Sequence, residues 1–239
     1  MLDSLAALGP FFAVDAHPPG EAPAPPWRPF REVAERPGPL GKGALPDRIA
    51  SVRAALATAG GRPAGEIDPR AAASAAHLGL VARLAAPALG AAALGGWVDL
   101  QPDGLWWQDT LGGPVPLSVP LPVGTVTPGD WAERLLTGVI APVTEATSRL
   151  AALSGQVLWG NVASAVNAAA RQAAASRPGL ADGAWEAARA LFASPWLSRE
   201  RHPAGVDYRR ASCCLYYRLA PDARSARAVI CGDCVLGAP

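Results

Sequence analysis

Over most of the chain the apolar positions recur at helical spacing. In 47–59, Ile49, Val52 and Leu56 share one side and Gly60-Gly61 ends the run, which predicts a helix. Asp68-Pro69 is a helix start, with Asp capping and Pro in the first turn, and the helix is expected to reach about Leu84 before Pro87 breaks or kinks it. Asp130-Trp-Ala-Glu133 has the form of a capping box. It opens a helix towards Leu150 that bends at Pro142, with Trp131, Leu135, Val139 and Val143 on one face. Two more helices are predicted over 154–175 and 182–193, the latter stopped by Ser194-Pro195-Trp196. The period changes once: 97–101 and 105–109 flank Pro102-Asp103-Gly104 and read as a β-hairpin, to which 115–119 adds a third strand.

The pattern therefore predicts a mainly α protein with a small antiparallel β-sheet (α+β) and an appended C-terminal module. Three regions follow. Residues 1–46, rich in Pro and Gly, form an arm with a short helix within 2–12, packed on the domain through Phe11, Phe12, Trp27 and Phe30. Residues 47–195 are the mainly helical domain, and 196–239 are an irregular segment holding the cysteines. Trp97, Trp106 and Trp107 read first as core packing for the sheet, and His77, alone on an alanine-rich helix, as packed rather than ligating.

Composition mainly removes alternatives. The net charge is +1 and no basic run occurs, so nucleic acid is not an expected partner. Twenty arginines against one lysine reflect GC-rich coding rather than phosphate recognition. No basic segment followed by an apolar core opens the chain, so no secretory signal is expected. The most apolar stretch, 71–96, is interrupted by His77, Arg83 and Pro87 and reads as short of a membrane span. The expected location is cytoplasmic, without a transmembrane segment and with peripheral association at the inner membrane face left open. Gly38-Pro-Leu-Gly-Lys-Gly43 lacks the spacing and preceding strand of a phosphate loop, and no Gly-x-Gly-x-x-Gly follows a strand, so flavin and nicotinamide binding are unsupported.

All four cysteines lie close to the C-terminus, as Cys213-Cys214 and Cys231-Gly-Asp-Cys234, with sixteen residues between the pairs. Spacing alone leaves an iron–sulfur cluster, a tetrahedral zinc and two disulfides open. An adjacent pair suits zinc poorly, because zinc ligands are usually two to four residues apart and neighbouring side chains point in different directions. A two-iron cluster is a larger target and can take an adjacent pair. A reducing cytoplasm also favours metal-held thiolates over disulfides.

The flanking residues sharpen this. The run Arg210-Ala-Ser-Cys213-Cys214-Leu-Tyr-Tyr-Arg218 and the run Cys231-Gly-Asp-Cys234-Val-Leu236 resemble the C-terminal segment of the ferric-siderophore reductase (FhuF-like) family. Leu158-Trp-Gly-Asn161-Val-Ala-Ser-Ala165 is similar to that family's Trp-Gly-Asn helix. The family commonly has about ten residues between the two pairs, and the longer spacing here is readily taken up by a surface loop such as 220–226, since lengthening a loop costs little.

The resemblance implies one [2Fe–2S] cluster held by Cys213, Cys214, Cys231 and Cys234, and an oxidoreductase that reduces Fe(III) in a siderophore complex by one electron and releases Fe(II). Its partners would be a ferric siderophore and an electron donor protein or reductant. No catalytic residue beyond the cluster is implied. Arg209, Arg210, Arg218, Trp159 and Asn161 are candidates for tuning the cluster or touching substrate. The substrate pocket is expected between the helical domain and the C-terminal segment. A pure electron carrier, a siderophore-binding protein without turnover and a structural zinc protein are the alternatives.

Overall fold

A computed structural model describes residues 1–121, 130–200, 203–220 and 230–236. The chain opens with a short helix, α1 (Leu2–Ala6), followed by two short strands, β1 (Asp15–His17) and β2 (Arg28–Pro29). Helices α2 (Ala44–Ala59) and α3 (Pro69–Ala93) come next, then β3 (Trp106–Trp107) and β4 (Leu117–Pro120). The remaining helices are α4 (Asp130–Leu135), α5 (Ala141–Ala151), α6 (Gly155–Ser176) and α7 (Ala181–Phe192).

Helix α3 is the centre of the fold, packed against α2, α6 and α7. Asp68 caps it, its Oδ1 accepting from the Arg70 and Ala71 N–H groups. The expected break at Pro87 does not occur: the helix runs 25 residues to Ala93. An interior proline costs about 3 kcal/mol, and here the burial of Leu84, Ala85, Leu89 and Ala91 at 0% exposure on either side of it outweighs that cost. By length and composition this helix does qualify as a candidate span, which corrects the sequence reading, but 72% of its most apolar window is buried inside the fold. It is occupied as a core helix.

Between α4 and α5 the residues Leu136–Ile140 form a π-helical turn directly before Pro142. A widened turn is how a helix absorbs a residue that cannot donate its N–H. Trp131, Leu135, Val139 and Val143 are all buried, as their spacing predicts.

The fold class is the expected α+β, but the sheet is mixed rather than antiparallel. Its order is β1-β4-β3-β2, with β1 parallel to β4 and β3 antiparallel to both β4 and β2. The N-terminal arm thus supplies both edge strands. The predicted hairpin partner 97–101 is not a strand. Asp99 Oδ1 accepts from Gln101 N, and the N–H groups of Gly104 and Leu105 both return to Gln101 O. These local bonds curl the segment away from a ladder, and β3 pairs with β2 and β4 instead.

Arg83 fastens the arm to the domain. It is buried, and its guanidinium donates to Val115 O at 2.6 Å, to Ala13 O at 2.8 Å and to Phe11 O. Phe12 and Phe30 are buried in the core, Trp27 is half-buried and Phe11 is exposed. Trp107 is fully buried, with Phe30 edge-on at 6.2 Å, so the aromatic residues of the sheet serve packing. The proposed surface loop 220–226 lies outside the described residues beyond Ala220.

Candidate metal centre

The two cysteine pairs approach each other at the end of α6. Leu215 takes a left-handed backbone, φ 66°, directly after the first pair, and its N–H donates to Cys213 Sγ at 3.3 Å. In the second pair Cys234 N donates to Cys231 O at 3.0 Å, closing a tight turn, and Leu236 N donates to Cys234 Sγ at 3.3 Å. A backbone bond joins the two halves, Arg210 N donating to Asp233 O at 3.0 Å, and Ala211 N donates to the Glu200 carboxylate, Oε2, at 3.1 Å within the same C-terminal segment. Ser212 Oγ donates to Gln156 O at 2.7 Å, which ties the first pair to α6.

All four cysteines are free thiols; Cys214 and Cys234 are buried, Cys213 and Cys231 half-buried. Cys214 Sγ and Cys231 Sγ stand 3.5 Å apart, one from each pair. Two thiolates on one tetrahedral metal at about 2.3 Å lie roughly 3.8 Å from each other, so this spacing matches two ligands sharing an ion. Among the described residues no three His, Cys, Asp or Glu side chains gather closely enough to hold a single ion.

The electrostatics favour an anionic occupant. Arg210 is 1% exposed, pairs with no carboxylate among the described residues, and has a buried Nε without a hydrogen-bond partner. A buried cation of this kind normally has a counter-charge. Arg210 also acts on the cysteine thiols, favouring the thiolate of Cys214. Cys214 is pulled down to about 6 by its hydrogen bond with Cys231, with the Tyr216 N–H and Arg210 acting in the same direction. Cys231 moves up as the other half of that bond, and burial with neighbouring thiols raises Cys213. Four thiol donors, two N–H groups aimed at sulfur and a buried guanidinium outside any ion pair fit a negatively charged metal–sulfur group.

Behind Arg210 runs a buried polar chain. Its Nη2 donates to Asn161 Oδ1 at 2.6 Å and to Val157 O at 3.3 Å. Asn161 Nδ2 lies 3.1 Å from Ser74 O, 3.1 Å from Ser74 Oγ and 3.4 Å from His77 Nδ1. His77 Nε2 meets Thr144 Oγ1 at 3.1 Å, and that hydroxyl donates to Ile140 O at 2.7 Å. Thr144 has spent its proton, so His77 Nε2 carries the donor hydrogen and Nδ1 accepts from Asn161. His77 is held neutral, its pKa lowered to about 3 by burial and then by Arg210.

The candidates named from sequence divide. Cys213, Cys214, Cys231, Cys234, Arg210 and Asn161 come together. Arg209 lies alongside, its Nη1 donating to Gly232 O at 3.1 Å. Arg218 turns to the N-terminus of α3, 3.2 Å from Asp68 Oδ2. Trp159 stacks on Trp196 with ring centres 4.9 Å apart. Gly160 is a point of close approach between α6 and the cysteine segment. A Cβ there would stand 2.5 Å from Ser212 Oγ and 3.1 Å from Arg210 Nη2.

Sequence reasoning missed Glu200, which accepts from both Ala211 N and the Tyr208 hydroxyl, the latter at 2.8 Å. No local pattern marks it. His77 was read as packed, which it is, but its part in the chain to Arg210 rests on contacts 84 residues apart in sequence.

Residues 210–236, which include all four cysteines, match the family model described as the FhuF 2Fe-2S C-terminal domain. The C-terminal segment is therefore similar to the iron–sulfur domain of ferric-siderophore-reductase-like proteins, and its cofactor is a [2Fe–2S] cluster. No curated protein and no solved structure matches the chain.

Proposed function

We propose that the protein is a ferric-siderophore reductase that works by one-electron chemistry in the cytoplasm. The observation that carries this is the match over 210–236, in which all four cysteines fall on one iron–sulfur domain. When bound, the [2Fe–2S] cluster supplies one electron at a time. Cys213, Cys214, Cys231 and Cys234 are its ligands. Chelated Fe(III) is a hard cation held tightly by oxygen donors. Fe(II) carries less charge, binds the same donors more weakly and leaves.

The chain's own residues hold the metal site and place the substrate beside it. Arg210 opposes the thiolates' charge, and Asn161 fixes its guanidinium. A groove of about 440 Å³ is lined by Leu78 and Ala82 of α3, by Ala165, Ala169 and Gln172 of α6, and by Tyr216, two residues from Cys214. Its size suits a small ligand, and it lies where helical domain and C-terminal segment meet. This groove is the proposed siderophore site.

The test is a visible spectrum with iron and sulfide analysis of anaerobically purified protein, followed by ferrous-iron trapping from a supplied ferric siderophore. A red-brown protein bleached by dithionite that releases ferrous iron over many turnovers is the expected result. A loaded protein that binds the chelate and releases no iron is a carrier or binding protein. A colourless protein with stoichiometric zinc overturns the reading, as does full activity in Cys231→Ser.

A further inference from the structure

One sulfur from each cysteine pair faces the other pair. Cys214 Sγ and Cys231 Sγ stand 3.5 Å apart, and no other two cysteine sulfurs share a hydrogen bond among the described residues. An S–S bond is about 2.05 Å long, so roughly 1.5 Å of closure would join these two. The other ways of pairing the thiols are less favoured. Adjacent Cα atoms lie roughly 3.8 Å apart, short of the usual span of a disulfide, which disfavours a bridge within Cys213-Cys214. A Cys-x-x-Cys turn commonly closes on itself as a redox dithiol, but here the Cys231 sulfur bonds across to Cys214 instead.

Contacts that involve no sulfur hold these two thiols opposite each other. Arg210 N donates to Asp233 O at 3.0 Å and Arg209 Nη1 to Gly232 O at 3.1 Å, both across the two pairs. Ser212 is bonded to Gln156 O, and Leu215 packs with Ala73, Leu153 and Leu158, so the first pair is seated on the helices from both sides. The two halves therefore keep their register whatever the sulfurs bind. Access differs between the two thiols: Cys231 is half-buried and Cys214 buried. A small reagent reaches Cys231, and Cys214 stands directly behind it.

We propose that Cys214 and Cys231 close a reversible disulfide when the thiols carry no metal, and that this bridge across the two pairs locks the site against loading. The regulation rests on the cluster reading above, whereas the bridge itself rests on the sulfur geometry alone. The oxidant is a low-molecular-weight disulfide such as glutathione disulfide. Half-buried Cys231 exchanges with it first, giving a mixed disulfide and one glutathione thiol. Cys214 then attacks the Cys231 sulfur and releases the second glutathione. One S–S bond is broken and one is made. The two protein sulfurs lose two electrons, and their two protons leave on the two glutathione thiols. With two of the four ligands joined to each other, the site cannot be filled until a thiol or dithiol reopens the bridge.

The experiment uses the full chain, stripped of metal by a chelator under argon and incubated with glutathione disulfide. Remaining thiols are alkylated and the protein is cut with trypsin without reduction. Cleavage after Arg210, Arg218 and Arg227 puts the two pairs in separate peptides, 211–218 and 228–239, so mass spectrometry tells a bridge between pairs from a bridge within one. The expected main product is the two peptides joined, with one alkylated cysteine on each. Cys213→Ser and Cys234→Ser are expected to keep the joined product, and Cys214→Ser and Cys231→Ser to lose it. A 228–239 peptide closed on itself as the main wild-type product, or a joined product that persists in Cys214→Ser, overturns the bridge. The lock is read with cobalt(II) alone, whose thiolate complexes absorb in the near ultraviolet. The oxidised chain is expected to take up cobalt(II) about tenfold less than the reduced chain, and to recover on treatment with a phosphine reductant. Equal uptake before and after reduction overturns the lock. A wild-type chain that purifies without iron and sulfide overturns the cluster reading instead, and the peptide map still decides the bridge.

Discussion

Arg210 Nη2 meets Asn161 Oδ1 at 2.6 Å, with both side chains buried. The bond joins the C-terminal cysteine segment to the middle of α6. It also places a full positive charge, with no carboxylate opposite it among the described residues, beside thiols that bind a cluster only as thiolates. Adding an electron makes such a site more negative, so the cation favours the reduced state and raises the potential. Arg210→Gln is therefore expected to lower the potential by tens of millivolts. Arg210→Lys retains most of it. A redox titration followed by electron paramagnetic resonance reads the difference, and equal potentials in all three proteins would show that Arg210 is structural only.

Asn161, fully buried, satisfies Arg210 Nη2, Ser74 and His77 Nδ1 at once. Asn161→Ala leaves Arg210 Nη2 and His77 Nδ1 buried without these partners. The expected loss is about 2–3 kcal/mol, which in a chain of this size lowers Tm by roughly 5–10 °C. Differential scanning calorimetry checks it. The potential should fall with the stability, because Arg210 is no longer held.

The buried imidazole gives a pH dependence whose sign follows from its environment. His77 is neutral when folded, with a pKa of about 3, and near 6.5 when unfolded. Below pH 6.5 the unfolded chain binds the extra proton, so stability falls as the pH falls. Between pH 7 and 5.5 His77 contributes a loss of about 1 kcal/mol. His17, lowered by burial, adds in the same direction. Asp68 also works the same way but only at lower pH. Burial raises it, and the Ala71 and Arg70 N–H groups together with Arg218 overcome that to hold it below the usual value. Urea unfolding across pH 5.5–7 should show a shallower slope in His77→Gln than in the wild type, whatever the change in overall stability.

The helices and the cysteine site were legible because their signals are local. Asp68-Pro69 states a helix start in two adjacent residues, and each cysteine pair spans at most four. The sheet was not legible in the same way. Its strands are two to four residues long, too short for an alternating pattern, and its order depends on Arg83 binding Ala13 O and Val115 O from a helix far from both in sequence. The hairpin was misassigned because Asp99 and Gln101 close a local turn that the apolar pattern does not encode. Pro87 shows the converse: a strong local breaker overridden by burial on both sides. The groove lined by α3, α6 and Tyr216 is announced by no motif in either helix.

Gly160 gives the sharpest test of how the segment is seated. Alanine is the better helix former by about 1 kcal/mol, so on propensity alone Gly160→Ala would stabilise α6. The added Cβ, however, would stand 2.5 Å from Ser212 Oγ and 3.1 Å from Arg210 Nη2. Ser212 is fastened to Gln156 O at 2.7 Å and precedes Cys213 directly, so yielding breaks the bond that ties the first cysteine pair to α6. The cysteine segment is then held less firmly on the helix. Gly160→Ala is expected to lose its visible absorbance several times faster than the wild type when exposed to a chelator, while the helical circular dichroism stays the same. Ser212→Gly removes the nearest clashing atom, so Gly160→Ala/Ser212→Gly should recover part of the cluster lifetime. Ser212→Gly alone should not lengthen it. A double variant no better than Gly160→Ala would mean that Arg210, rather than Ser212, is what the helix must leave room for.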